Sequence, residues 1–227
     1  MRASGKRPVP SLILLALLLL AAMPVAAAGV TVTDAATGQP LANAVVALYP
    51  RAGHSSAPPP VRASIVQRRA TFMPHVLVVP PGSRVSFPNR DTTRHQVYSF
   101  SPPLTFSLNL YLRETPPPVT FDRAGVEVLG CNIHDHMRAF IVISEAPFSA
   151  VSAADGRVAL EVPAGPYRLR IWHPLLEDTH QQWWEGQLGA EEQRRVALTL
   201  RASPPPRDEP SALARHFQQA LQQGTAP

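Results

Sequence analysis

Residues 131–137 read Cys-Asn-Ile-His-Asp-His-Met, and Cys131 is the only cysteine in the chain. Val126-Glu127-Val128-Leu129 runs into Gly130-Cys131 as a strand, and Ala139 to Ile143 runs away as another. Cys131, His134 and Met137 therefore share one tight loop between two strands. Upstream, Val85 and Phe87 alternate along a strand reaching Asn89, Asp91-Thr92-Thr93-Arg94 reads as a loop, and His95 opens the next strand. Two imidazoles, one thiolate and one thioether form the soft trigonal set with a weak axial methionine that copper uses for electron transfer. A buried cysteine acting as a small apolar residue is the plain alternative for Cys131 alone. It leaves the neighbouring histidines and methionine unexplained.

The N-terminus indicates an exported chain. Arg2, Lys6 and Arg7 precede an apolar run from Leu12 to Ala22, Pro24 breaks it, and Ala26-Ala27-Ala28 offers a small-residue cleavage site. The run is shorter than the roughly 20 residues that cross a bilayer. Residues 1–28 are thus expected to be a signal peptide, with a mature periplasmic chain that starts near Gly29 and has no membrane span. Exported cysteines are usually paired, so an isolated one fits a metal ligand.

Composition narrows the class. The chain holds 26 prolines and only 16% charged residues. Proline is poorly tolerated in helices and central strands, and the many short apolar stretches predict an all-β fold. The formal charge is +5, and losing Arg2, Lys6 and Arg7 leaves 5 − 3 = +2. The remaining basic residues are scattered arginines, which do not form a nucleic-acid patch.

Two resemblances follow from motifs. Phe72-x-Pro74, Val85 to Asn89, His95-x-Val97 and Cys131-x-x-His134-x-x-Met137 occur in the order of the cupredoxin family. The Cys-x-x-His-x-x-Met spacing is similar to the short ligand loop of amicyanins. The run His95-Gln96-Val97-Tyr98-Ser99-Phe100-Ser101-Pro102 with Gly130-Cys131-Asn132-Ile133-His134-Asp135 resembles cupredoxin-like proteins called methylamine utilization proteins. This resemblance implies a Greek-key β-sandwich over residues 63–146. It implies one mononuclear type 1 copper, with His95, Cys131 and His134 equatorial and Met137 axial. It gives the Gln96 backbone N–H a bond to the thiolate sulfur, and Asn89 a part in tying the His95 loop, a plain turn role being the alternative. His136 is the other candidate for the fourth ligand.

Val32 to Val46 resembles the opening of a carboxypeptidase-regulatory-like, or transthyretin-like, β-sandwich. Its continuation, Asp155-Gly156-Arg157 and Pro163-Ala164-Gly165-Pro166-Tyr167, comes roughly a hundred residues later. The expectation is a sandwich split between 29–50 and 147–202, with the copper domain inserted after a Pro-rich loop at 51–62. Residues 203–227 are expected to be a Pro-rich linker and a short helical tail. The alternative makes 29–50 extra strands of the central domain. Trp183-Trp184 is expected to pack into the sandwich.

The implied function is a monomeric one-electron carrier serving an unnamed redox protein. Copper storage, sensing or delivery competes, but Met73 and Met137 are the only mature methionines. A multicopper oxidase needs several His-x-His pairs, and His134-x-His136 is the single one, so no enzyme activity is expected. A metal-free scaffold or binding module is the remaining class.

Overall fold

The structure is a computed structural model that describes residues 25–52 and 56–202. The apolar run at 12–22 and the tail at 203–227 lie outside the described residues. Among the described residues every regular element is a strand: β1 (Val25–Asp34), β2 (Val45–Pro50), β3 (Arg62–Ser64), β4 (Val66–Gln67), β5 (Phe72–Met73) and β6 (Val76–Val79). Then come β7 (Ser83–Ser86), β8 (His95–Ser99), β9 (Phe106–Tyr111), β10 (Val119–Phe121), β11 (Gly125–Gly130) and β12 (Arg138–Ile143). The last are β13 (Phe148–Val151), β14 (Arg157–Pro163), β15 (Pro166–Trp172), β16 (Trp184–Gly189) and β17 (Gln193–Leu198). The chain is all-β.

The strands sort by position in the chain. One sheet runs β14-β1-β17 and another β13-β2-β15-β16. Their facing side chains, among them Val30, Val46, Leu48, Val162, Leu169, Ile171 and Val196, form one core. In each of these sheets an N-terminal strand sits between C-terminal ones: β1 between β14 and β17, β2 between β13 and β15. Strands β3 to β12 build the rest, as sheets β10-β7-β3 and β6-β12-β11-β8-β9 with the hairpin β4-β5. A second core, including Phe72, Val85, Phe87, Val97, Leu129, Ile141 and the thiol-bearing Cys131, fills the space between them.

Strand β12 is buried on both faces, which explains its unbroken apolar run. Ala139, Ile141 and Ile143 enter the second core. Phe140 and Val142 point the other way and meet Val45, Trp172 and Leu176 of the outer sandwich in a third cluster. The Phe140 and Trp172 rings meet edge to face at 5.4 Å. The Trp183-Trp184 pair is used for packing: Trp184 lies against the outer core, and the Arg170 guanidinium sits over the Trp183 ring at 4.7 Å.

Strand β1 begins four residues before the expected mature start at Gly29. Ala26, Ala27 and Ala28 pair with Val162, Glu161 and Leu160 of β14. Small residues in an extended run satisfy a cleavage signal and a strand alike, so the sequence alone could not separate the two. Strand β3 likewise starts at Arg62, inside the expected loop.

His173 lies in the junction between the two halves and is 5% exposed. Its Nε2–H donates to the Ala42 carbonyl at 3.1 Å, and its Nδ1 accepts the Leu175 N–H at 3.2 Å. That pattern suits only the neutral ring. Burial, helped by nearby His75, holds the imidazole below its ordinary 6.5, outweighing the Ala42 carbonyl and Asp34. The folded chain therefore binds fewer protons here than the unfolded chain below that pH. The contribution is fully present above about pH 6.5 and is lost as pH falls. Glu127, whose carboxyl burial raises against Ser99, Leu104 and His180, acts with the opposite sign, its contribution being lost as pH rises above the ordinary carboxylate range. His173→Gln should flatten the loss of stability between about pH 7 and about pH 5, read from urea midpoints. Equal slopes in both proteins would sink this assignment.

Candidate metal centre

The register of β11 and β12 creates the site. Gly130 pairs with Arg138, so residues 131–137 must turn back between adjacent strands. The Met137 N–H closes the turn on the His134 carbonyl at 2.9 Å. Strand β8 lies on the other side of β11, with Tyr98 opposite Gly130, which brings His95 beside the loop. The Tyr98 ring packs directly on Gly130: a Cβ there would stand 2.7 Å from its Cζ. Glycine at this position admits that ring.

His95, Cys131 and His134 present donor atoms that all lie within 4.8 Å of one another. Cys131 Sγ is 4.0 Å from His95 Nδ1 and 3.9 Å from His134 Nδ1. Three coplanar donors bonded to one ion at about 2.0–2.3 Å stand about 3.5–4.0 Å apart, so this spacing fits a trigonal metal. The donor set, two imidazoles and a sulfur, suits copper. Cys131 and His95 are buried and His134 is half-buried. Met137 is 2% exposed and belongs to the same apolar cluster as Cys131. His136 is exposed, its ring edge-on to His134 at 5.8 Å.

The His95 ring is held from behind. Its Nε2 lies 2.7 Å from Asp91 Oδ2, which leaves Nδ1 as the lone-pair donor toward the sulfur. Metal-ligating histidines are oriented in this way by a carboxylate on the second nitrogen. Asp91 is itself fixed by the backbone N–H groups of Arg69, at 2.5 Å, and Ala70, at 2.9 Å. Burial pushes the Asp91 carboxyl up, but these donors and His95 prevail and hold it below the usual carboxylate range. Arg69 and Ala70 have φ of 55° and 50°, the left-handed region that non-glycine residues seldom occupy. The turn between β4 and β5 thus accepts local strain, about 1–3 kcal/mol per residue, at the place where it presents two donors to one carboxylate.

Asn89 is 1% exposed and clamps the same loop. Its Nδ2 donates to the carbonyls of Thr93 and Tyr111 at 2.9 and 2.8 Å, and its Oδ1 accepts the Asp91 N–H at 2.9 Å. Tyr111 faces His95 across β8 and β9, and its hydroxyl donates to the Phe87 carbonyl at 2.6 Å. Burial, offset in part by Gln67 and aided by Cys131, pushes the Tyr111 phenol up to about 12. The Gln96 side chain donates to Ser107 Oγ at 2.9 Å, on the exposed surface. Its backbone sits where the β8–β9 register shifts between His95 and Val97.

Asp91 escapes a sequence reading because an aspartate before two threonines signals a turn. Its spacing of four from His95 is the only hint.

No family model and no curated protein matches the sequence. Among solved structures, the chain is similar to a Cu-containing nitrite reductase from Thermus scotoductus, at 25% identity and TM-score 0.36, covering 51% of this chain and 28% of that one. It thus spans little more than a quarter of the reductase's length. A pseudoazurin from Sinorhizobium meliloti aligns at 21% identity and TM-score 0.33, over 38% of this chain and 76% of that one. An amicyanin from Paracoccus versutus aligns at 15% identity and TM-score 0.33, over 43% and 97%.

Removing the carboxylate should loosen His95 without touching a donor atom. Asp91→Ala is expected to weaken copper affinity about 10–100-fold, read by competition with a chelator of known affinity. An unchanged affinity would show that the ring is positioned by packing alone.

Proposed function

We propose that this chain is a periplasmic one-electron carrier with a single type 1 copper held by His95, Cys131, His134 and Met137. The observation that carries the reading is the convergence of two Nδ1 atoms on one buried thiol, at 4.0 and 3.9 Å. Bound there, copper would supply a one-electron couple. The protein's part is to keep the donors still. The β11–β12 pairing fixes the ends of the loop, Asp91 fixes the His95 ring, and the buried core around Cys131 and Met137 keeps out water. Little rearrangement between oxidation states is what a carrier requires.

His134, half-buried, is the natural exit. Ile133 beside it is 48% exposed, and Arg94 and Arg138 stand exposed at the ends of the two ligand-bearing segments. An apolar spot flanked by arginines favours an acidic redox partner, approached faster at low salt. The backbone N–H of Gln96, set at the strand irregularity, is the proposed donor to the sulfur. Export through the signal sequence at 1–28 places the chain in the periplasm, and the carrier acts as a monomer and not as an enzyme. The chain divides into a sandwich from 29–50 and 147–202 and an inserted copper domain at 63–146.

Copper-loaded protein should bind one ion per chain and show an intense sulfur-to-copper charge-transfer band. Cys131→Ser should abolish the band, and Met137→Leu should keep copper while shifting the potential. Oxidation and reduction should cycle without copper loss in the presence of a Cu(I) chelator. A colourless complex, or rapid surrender of Cu(I) with no reversible wave, would favour storage or delivery.

The domain division has its own test. Deleting residues 29–50 removes the strands that join the C-terminal ones into sheets. The C-terminal sandwich should then unfold in hydrogen exchange while the loop 131–137 still loads copper. Persistent protection of β14, β15 and β17 would argue that 29–50 are dispensable additions.

A further inference from the structure

The ligand loop and the outer sandwich meet at a depression of about 350 Å3. Its apolar wall is Phe140, Pro174 and Leu175, and its polar wall carries Arg138 and Arg201, with His75, His136 and Asp135 between them. No segment of the chain supplies the whole of it. Asp135, His136, Arg138 and Phe140 come from the loop and β12, His75 from the turn before β6, and Pro174, Leu175 and Arg201 from the sandwich.

The walls are fixed by main-chain bonds. The Phe140 N–H donates to the His75 carbonyl at 2.9 Å, and His75 Nδ1 lies 3.0 Å from the Arg138 carbonyl. The His75 ring stands edge-on to Phe140 at 5.5 Å. The Arg201 N–H donates to the Leu175 carbonyl at 2.9 Å, and the Leu176 N–H to the His173 carbonyl at 3.1 Å. The backbones that carry both arginines are therefore tied to the apolar wall.

Neither Arg138 nor Arg201 makes an ion pair among the described residues. Among the described residues Asp135 is the one carboxylate lining the depression, so the two guanidiniums leave it with surplus positive charge. A guanidinium is a fixed fork of donors matched to the two oxygens of a carboxylate. An apolar wall beside such forks favours an anion with a carbon body over a bare mineral anion, and the volume is that of a small-ligand site.

We propose that this depression is a binding site for an organic carboxylate, gripped by Arg138 and Arg201 and seated on Phe140, Pro174 and Leu175. The carboxylate comes from a free small acid or from an aspartate or glutamate of a docking protein. Either source gives the outer sandwich a task, because Arg201 and Leu175 belong to it. Either also puts a negative charge next to His136, whose ring touches that of His134. The site does not depend on the copper reading, and its test uses the metal-free chain.

The full-length, metal-free protein is titrated with benzoate, glutarate and inorganic phosphate and followed by two-dimensional amide NMR. Saturable shifts are expected at residues 135–140, 174–176 and 201, with at least one carboxylate. The source is read with N-acetylglutamate N-methylamide as a further ligand: this side-chain mimic binding better than benzoate and glutarate identifies a docking protein, and either free acid binding better identifies a free acid. Arg201→Gln should weaken binding about tenfold, the worth of one charge-assisted contact, and Arg201→Lys should recover part of it. Arg138→Gln with Arg201→Gln should abolish it, the rest of the spectrum staying in place as proof of folding. No saturation by about 50 mM ligand, a range that still detects weak millimolar binding, would overturn the proposal. So would binding that survives the double variant, or phosphate binding more tightly than every carboxylate.

Discussion

The antiparallel pairing of β11 with β12 is the constraint on which the site depends. Six residue pairs, from Gly125–Ile143 to Gly130–Arg138, lock the two strands in register. The segment between them has no freedom to drift, and its thiol, imidazole and thioether are delivered within one short turn. A one-residue slip would turn Ala139, Ile141 and Ile143 out of the inner core and bring Phe140 and Val142 in. Both faces of β12 are buried, so both cores oppose that slip. The register is thus set by packing on two sides, and the loop geometry inherits that precision.

The second imidazole is held by a different device. His95 stands at the start of β8, outside the 131–137 turn. Its orientation comes instead through Asp91, and Asp91 is aimed by two N–H groups in a left-handed turn. Asn89 then ties Asp91, Thr93 and Tyr111 into one buried unit. Each added bond reduces what the ring can do, so Nδ1 stays aimed at the Cys131 sulfur. Strain at Arg69 and Ala70 is tolerable because it is spread over a turn with its own pair of backbone bonds between Arg68 and Thr71.

What could be read from the sequence was what is local. Cys131, His134 and Met137 are close in the chain, and apolar runs bracket them, so the loop announces itself. Strands β6, β11, β12, β14 and β15 show the apolar spacing that burial demands, and Gly82, with φ of 81°, sits where a Pro-Pro-Gly turn needs it. Strand β9 alternates Phe106, Leu108 and Leu110 with Ser107 and Asn109, yet only Tyr111 in it is fully buried, so its alternation understates how little of it enters the core. Asp91 acquires its role only through residues 69, 70 and 95, and no spacing rule joins those four. The same holds for His75, Arg138 and Arg201, which lie far apart in sequence and share one depression. The alanines at 26–28 illustrate another limit, since one extended run of small residues can serve two purposes.

The junction between the two halves links these observations. Phe140 and Val142 are neighbours of Arg138 on the strand that ends the ligand loop, and they pack on Trp172 and Leu176 of the outer sandwich. Movement of the sandwich would act on β6, β11 and β12 together, through Val76, Val126, Phe140 and Val142. Burying large aromatic rings on both sides makes that movement costly: truncating a buried phenylalanine loses about 3–5 kcal/mol. The sandwich is therefore a brace for the face of β12 that the inner core does not touch. Without that brace, Val76, Val126, Phe140 and Val142 would form an apolar patch on the outside of the sheet that carries His95 and Cys131. Such a patch invites association and loosens packing. The rigidity of the strand pair that frames loop 131–137 thus depends on the second sandwich at its back, which covers the outer face of that sheet.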